Sequence, residues 1–205
     1  MPSVRIHDRH GVRGGWSGSS GVSVTAPVIF GYIVNNRTKI GESFVKSKQN
    51  LYFCSMSTEE QMKKDLYYMR QALAEAEAAY REGEIPVGAV VVCRDRIIAR
   101  AHNLTETLTD VTAHAEMQAI TMAASELGGK YLQDCTLYVT LEPCTMCAGA
   151  IGWAQLRRMV YGCPDEKRGY RLYAPRTLHP RAEVVCGVME EECKALMQRF
   201  FRERR

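Results

Sequence analysis

Hydrophobic positions fall into two rhythms from Ser57 onward. Met62, Leu66, Met69, Leu73, Ala76 and Tyr80 recur at helical spacing and predict a helix of about six turns that stops near Gly83. Ser57-Thr58-Glu59-Glu60 reads as its capping box. Val87–Cys93 and Ile97–Ala101 read as strands joined by a tight turn at Arg94-Asp95-Arg96. A second helix is expected from about Ala113 to Leu127, ended by Gly128-Gly129. Thr136–Thr140 is a short buried strand, and Pro143 suits the first turn of a helix reaching to about Gln155. Met159–Tyr161 and Glu183–Cys186 are further strands, and a helix over Glu190–Arg204 closes the chain. Strands alternating with helices imply an α/β fold with a sheet covered on both faces. No internal repeat is evident.

Residues 1–55 share neither rhythm. They are rich in Gly and Ser, and their one apolar stretch, Val22–Val34, is interrupted by Pro27 and Gly31. It is too short to span a bilayer, and no Ala-x-Ala cleavage pattern follows it. We expect this segment to be disordered or foreign to the native protein, with translation starting at Met56 and a single domain over residues 56–205. Charge is unevenly spread. Residues 1–55 carry seven Lys/Arg against two Asp/Glu, residues 56–150 eight against fourteen, and residues 151–205 twelve against seven. Charge alone fits two solvated faces of opposite sign more simply than a localised anionic partner. Eight cysteines in a 205-residue chain of mixed charge favour reduced thiols and a metal site over a disulfide framework. Cys93, Cys135, Cys163, Cys186 and Cys193 sit mostly in apolar runs and read as small buried hydrophobes. The charge mix and the lack of a spanning segment point to a cytoplasmic protein with no membrane partner.

The chemistry concentrates in His114-Ala115-Glu116 and Pro143-Cys144-Thr145-Met146-Cys147. His114, Cys144 and Cys147 supply three donors of the kind zinc prefers, and a catalytic zinc site uses three so that water can take the fourth position. One turn of helix separates the two cysteines, and its N-terminal field favours thiolates. C-x-x-C alone would more often be a structural staple or two core cysteines; the upstream H-x-E and the lack of a fourth ligand reverse that. H-x-E with P-C-x-x-C is the signature of zinc-dependent nucleobase deaminases. Residues i and i+2 point about 200° apart on a helix, so His114 and Glu116 can face one metal only if His114 lies where the helix begins. Glu116 is then free to shuttle protons, the bland alternative being an exposed helical charge.

Residues 62–205 resemble the bacterial tRNA-specific adenosine deaminase family. The resemblance is carried by Glu84-Ile85-Pro86-Val87-Gly88-Ala89-Val90, Thr112-Ala113-His114-Ala115-Glu116-Met117, Leu137–Cys144 and Met146-Cys147-Ala148-Gly149-Ala150. Asp165-x-Lys167-x-Gly169 and the tail Phe200-Phe201-Arg202-Glu203-Arg204-Arg205 extend it. It implies a three-layer α/β/α sandwich with a mixed sheet, of the cytidine deaminase-like kind, and one zinc ion per subunit of a homodimer. The implied reaction is hydrolytic conversion of adenosine to inosine at the wobble position of the tRNA anticodon loop. Asn103 falls where the family binds substrate, although capping the loop before the second helix is nearly as good a reading. Val111 stands where the family usually has proline, which bears only on loop rigidity. Lys167, Arg168 and Arg171, interleaved with Tyr170 and Tyr173, and the terminal Arg202, Arg204 and Arg205 are candidate RNA contacts. Phe200 and Phe201 are expected to pack in the core, and the helix containing Trp153 is a candidate dimer surface. The alternative function is zinc-dependent deamination of a free base or nucleoside such as guanine, cytosine or cytidine, which the zinc motif alone cannot exclude.

Overall fold

A computed structural model describes residues 59–204. The expected N-terminal extension over 1–55, the first half of the capping box and Arg205 lie outside the described residues. Ten elements follow: α1 (Glu59–Glu82), β1 (Gly88–Cys93), β2 (Arg96–His102), α2 (Ala115–Leu127), β3 (Cys135–Leu141), α3 (Thr145–Trp153), β4 (Arg158–Cys163), α4 (Tyr170–Tyr173), β5 (Glu183–Cys186) and α5 (Glu190–Glu203). Most sequence-based boundaries hold within about two residues. The four-residue α4 was not foreseen, because it is too short to show a period.

The sheet runs β2-β1-β3-β4-β5. β1 is antiparallel to β2 and β3, whereas β3, β4 and β5 are parallel, so the sheet is mixed. Alternation along the strands divides the core. Ala89, Val91, Leu137, Val139, Met159 and Tyr161 pack with Ala115, Ala119, Ala123 and Ile151 of α2 and α3. Val90, Val92, Tyr138 and Val160 pack with Tyr68, Met69 and Ala72 of α1 and Cys193 of α5. This is the expected α/β/α sandwich. Of the cysteines read as buried, Cys186 is exposed and Cys93 only partly covered, since both sit at strand ends.

β1 and β2 turn through Arg94 and Asp95, both left-handed (φ 49° and 59°). Neither is glycine, and α1 holds the turn in place: Lys64 Nζ donates to both Asp95 oxygens at 2.9 and 3.1 Å, and Tyr68 Oη donates to the Asp95 carbonyl at 2.9 Å. At the other end of β1, Gly88 touches the backbone of α1. A Cβ there would lie 2.1 Å from the Ala72 carbonyl oxygen and 2.3 Å from the Ala76 nitrogen. Gly88→Ala should therefore cost on the order of 3 kcal/mol, read as a lowered urea midpoint at fixed zinc concentration.

Under α1 lies a buried ion pair. Arg158 donates to both oxygens of Asp65 at 2.7 Å, and Asp65 Oδ1 also accepts from Tyr138 Oη at 2.8 Å and Gln61 Nε2 at 3.0 Å. Burial raises the Asp65 carboxyl, but Arg158, Gln61 and Tyr138 outweigh it and hold the group below the usual carboxylate range. Among the described residues no helix is long and apolar enough to cross a membrane.

Candidate active site

The site is assembled where β1, β2 and β3 hand the chain to loops. After β2, the Asn103 N–H donates to the Val87 carbonyl at 3.0 Å, and the following loop returns so that the Leu104 N–H reaches the Ala113 carbonyl at 3.0 Å. The Asp110 carboxylate accepts from the Thr112 N–H and hydroxyl, each at 2.8 Å, and so firms the loop where the family usually has proline. Val111 itself points to solvent. His114 then sits at the N-cap of α2 with extended backbone (φ −69°, ψ 152°). That placement removes the angular conflict with Glu116, which lies in the first turn.

β3 ends at Leu141, and Cys144 caps α3 with extended backbone (φ −71°, ψ 174°). Pro143 precedes the cap rather than occupying the first turn, so the helix is shifted from the sequence expectation. Cys144 and Cys147 both face His114 Nδ1, at 3.8 and 3.5 Å. The three donor atoms lie within 4.8 Å of one another. Tetrahedral bonds of about 2.0 Å to nitrogen and 2.3 Å to sulfur set donor separations of roughly 3.6 Å. The donors fit zinc in kind and in spacing. A hydrogen bond from the Cys147 thiol, and then His114, holds Cys144 down at about 4, while that shared proton and burial push Cys147 up. The direction at Cys144 favours the thiolate form in which cysteine binds zinc. The Cys144 hydrogen bond to His114 raises the imidazole, against burial. Glu116 is 3% exposed, and burial lifts its carboxyl above the usual range.

Two further carboxylates organise the surroundings. Glu84, two residues past the end of α1, is fully buried and accepts from Asn103 Nδ2 at 3.0 Å, Thr105 Oγ1 at 3.3 Å, the Glu106 N–H at 3.2 Å and the Thr107 N–H at 2.7 Å. Glu142 accepts from the Asp165 N–H at 3.2 Å and the Arg171 N–H at 3.1 Å, and takes the Arg171 guanidinium in a fork at 3.0 and 3.1 Å. It thereby docks residues 165–171 against the cysteine segment, where Tyr170 N–H reaches the Pro143 carbonyl at 2.9 Å. Sequence reasoning missed both roles. Each glutamate lies inside a motif-bearing stretch and directly precedes a turn into the site, which was the available signal.

The candidate RNA contacts divide. Lys167, Arg168 and Arg202 are exposed, and Arg168 is close enough for its charge to bear on His114. Arg171 is not a free cation, because Glu142 engages its guanidinium and Tyr161 lies beneath it at 5.4 Å. Arg204 donates to the Gly83 carbonyl and stacks on Phe200 at 4.0 Å. Phe200 is buried as expected, but Phe201 is 47% exposed. A cavity of about 370 Å³ lined by Cys93, Arg94, Tyr131 and Cys135 lies at the opposite end of β3 from the metal donors and takes no part in the site.

Residues 62–163 match the cytidine and deoxycytidylate deaminase zinc-binding region. The chain is 47% identical over 149 residues to the tRNA-specific adenosine deaminase of Bacillus subtilis strain 168, covering 70% of this chain and 92% of that protein. The corresponding enzyme of Agrobacterium fabrum is 46% identical over 144 residues, covering 68% and 95%. A solved structure from work on A-to-I editing by tRNA:A34 deaminases superposes with a TM-score of 0.60 at 45% identity, over 63% of this chain and 98% of that one. A guanine deaminase from Nitrosomonas europaea shares the fold at 23% identity and a TM-score of 0.57, over 66% of this chain and 83% of that one. The donor triad, the buried glutamate beside it and an identity of 46–47% across more than nine-tenths of these enzymes lead to one conclusion: the chain belongs to the tRNA-specific adenosine deaminase family.

Proposed function

We propose that the protein hydrolyses adenosine to inosine at the wobble position of tRNA, with His114, Cys144 and Cys147 holding zinc, Glu116 carrying protons and Asn103 contacting the substrate nucleotide. The observation that carries this reading is the buried Glu116 beside three convergent donors, in a chain that covers more than nine-tenths of its tRNA-editing relatives. When bound, zinc supplies the Lewis acidity that lets water ionise near neutral pH. Glu116 accepts the proton of the attacking water, delivers it to N1 of the purine, and protonates the amine that leaves C6 as ammonia. Atoms balance: adenosine plus water gives inosine plus ammonia. His114 and the two cysteines come from the starts of two helices packed on one face of the sheet, so the donors are preorganised.

Tracking of the RNA is assigned to Lys167, Arg168 and Arg202, with Arg205 at the chain end. Arg171 and Arg204 serve by placing their segments. Arg204 contacts Gly83, the neighbour of Glu84, so the C-terminal helix reaches the corner that holds Asn103. The protein acts as a cytoplasmic homodimer in this reading. Trp153, 85% exposed at the end of α3, is the kind of large apolar surface a partner subunit covers.

The test is incubation of zinc-loaded protein with an arginine tRNA carrying adenosine at the wobble position. Inosine at that position is expected. Ammonia release from guanine or cytidine, with no inosine, would transfer the function to the free-base reading.

A further inference from the structure

Cys93 and Cys135 stand directly opposite each other, the last residue of β1 against the first of β3. Partners in an antiparallel register point to the same face, and here that face is the core under α2 and α3: Cys135 belongs to it and Cys93 packs on it. The Cys135 N–H turns away to the Leu132 carbonyl at 3.0 Å, so the pair is of the non-hydrogen-bonded kind, in which side chains come closest. Such a pair sets its Cα atoms about 4.5 Å apart, inside the range of about 4.4 to 6.8 Å that a disulfide spans. No other register pair among the described strands sets two cysteines against each other. The two differ in access. Cys135 is 1% exposed and Cys93 only partly covered, and both line the cavity of about 370 Å³ beside Arg94, Arg96 and Tyr131. Burial, and then the hydrogen bond to the Cys93 sulfur, push the Cys135 thiol up to about 12.

We propose that Cys93 and Cys135 are a reversible oxidation site, at which a low-molecular-weight disulfide enters the cavity, reacts with Cys93 and leaves β1 and β3 joined by a Cys93–Cys135 disulfide. In the first step the Cys93 sulfur attacks one sulfur of the small disulfide; a mixed disulfide forms, and one small thiol leaves with the Cys93 proton. In the second the Cys135 sulfur attacks Cys93, the mixed disulfide breaks, and the other small thiol leaves with the Cys135 proton. Two protein thiols are oxidised and one small disulfide is reduced to two thiols, so atoms and electrons balance. The order follows from access. Cys93 meets the cavity from a partly exposed position, whereas Cys135 carries too little thiolate to attack a passing molecule and reacts because its target is held against it. The bond closes a ring over β2, α2 and His114, at the end of β3 away from the metal donors. It therefore restricts the unfolded chain while leaving the zinc ligands alone.

The experiment exposes the full zinc-loaded chain to oxidised glutathione, with Cys93→Ser, Cys135→Ala and the double variant beside it. Remaining thiols are alkylated, the protein is digested with trypsin and with chymotrypsin, which cuts at Tyr138 between Cys135 and Cys144, and the peptides are sequenced by mass spectrometry. The unaltered protein should yield a Cys93–Cys135 cross-link that dithiothreitol removes, with its zinc content unchanged. Cys135→Ala should stop with glutathione on Cys93, and Cys93→Ser should leave Cys135 unmodified. Oxidation should raise Tm by roughly 5 to 15 °C in the unaltered protein and not in the double variant. Glutathione retained on Cys93 of the unaltered protein, both thiols left unmodified, a cross-link to another cysteine in its place, or a Tm that fails to rise would each overturn the inference. Were Cys135→Ala not to fold, the cross-link map and Tm of the unaltered protein decide it. None of these readouts depends on the tRNA substrate.

Discussion

Glu116→Gln should keep its zinc and its fold yet lose turnover by a factor on the order of 10³ to 10⁴. The amide has the size of the carboxyl it replaces, and at a site only 3% exposed it removes a group that burial already disfavours when charged. What it cannot do is accept a proton from water and release it again, first to the ring and then to the departing amine. Two measurements decide the assignment: zinc per protein by metal analysis, and inosine formed in single turnover. Activity within tenfold of the unaltered protein at full zinc occupancy would remove Glu116 from the chemistry. Loss of zinc together with activity would make it part of the metal's support instead.

The largest stability effect is expected at the ion pair beneath α1. Arg158→Met leaves Asp65 buried, still bonded to Tyr138 and Gln61 but without its countercharge, and should cost about 3 to 5 kcal/mol. For a domain of this size the melting temperature should fall by roughly 10 °C or more at neutral pH. The sign with pH follows from the direction of the Asp65 shift. Its folded pKa lies below its unfolded value, so the pair stabilises the unaltered protein above the unfolded pKa, and that contribution fades as pH falls through the folded one. In the variant the unpaired carboxyl moves upward, and protonation relieves the penalty. The deficit should therefore shrink on acidification from pH 7 toward pH 5. Replacing both partners with apolar residues, Asp65→Leu with Arg158→Met, should recover part of the loss, less the cost of the buried Tyr138 hydroxyl left without its acceptor. A double variant as unstable as the single would show that the cost arises from packing rather than charge.

The chemistry was legible in the sequence because metal ligands are few, chemically distinctive and closely spaced. His114, Cys144 and Cys147 converge as the spacing implied, and alternation in Ala89–Val92 placed the two faces of the sheet. Long-range polar pairing was not legible. Nothing near Arg171 in sequence announces that Glu142, twenty-nine residues away, holds its guanidinium. Arg204 likewise meets the Gly83 carbonyl across 121 residues. Both looked like free cations because a count of arginines carries no partners. Local periodicity was equally silent about Phe201 and Cys186, whose exposure is decided where an element runs out of neighbours. The helix starts moved by one or two residues because caps are set by φ and ψ at single positions, which propensity does not resolve.

The two N-caps carry one more consequence. His114 and Cys144 stand thirty residues apart in the chain, and the segment between them contains all of α2 and β3. An ion gripping both ends closes that segment into a ring and removes many of the conformations it would otherwise explore when unfolded. Bound zinc would then add to the stability of the fold as well as to its chemistry. A cell starved of the metal would lose the enzyme by attrition, its chains opening at the unfastened ring and passing to proteolysis.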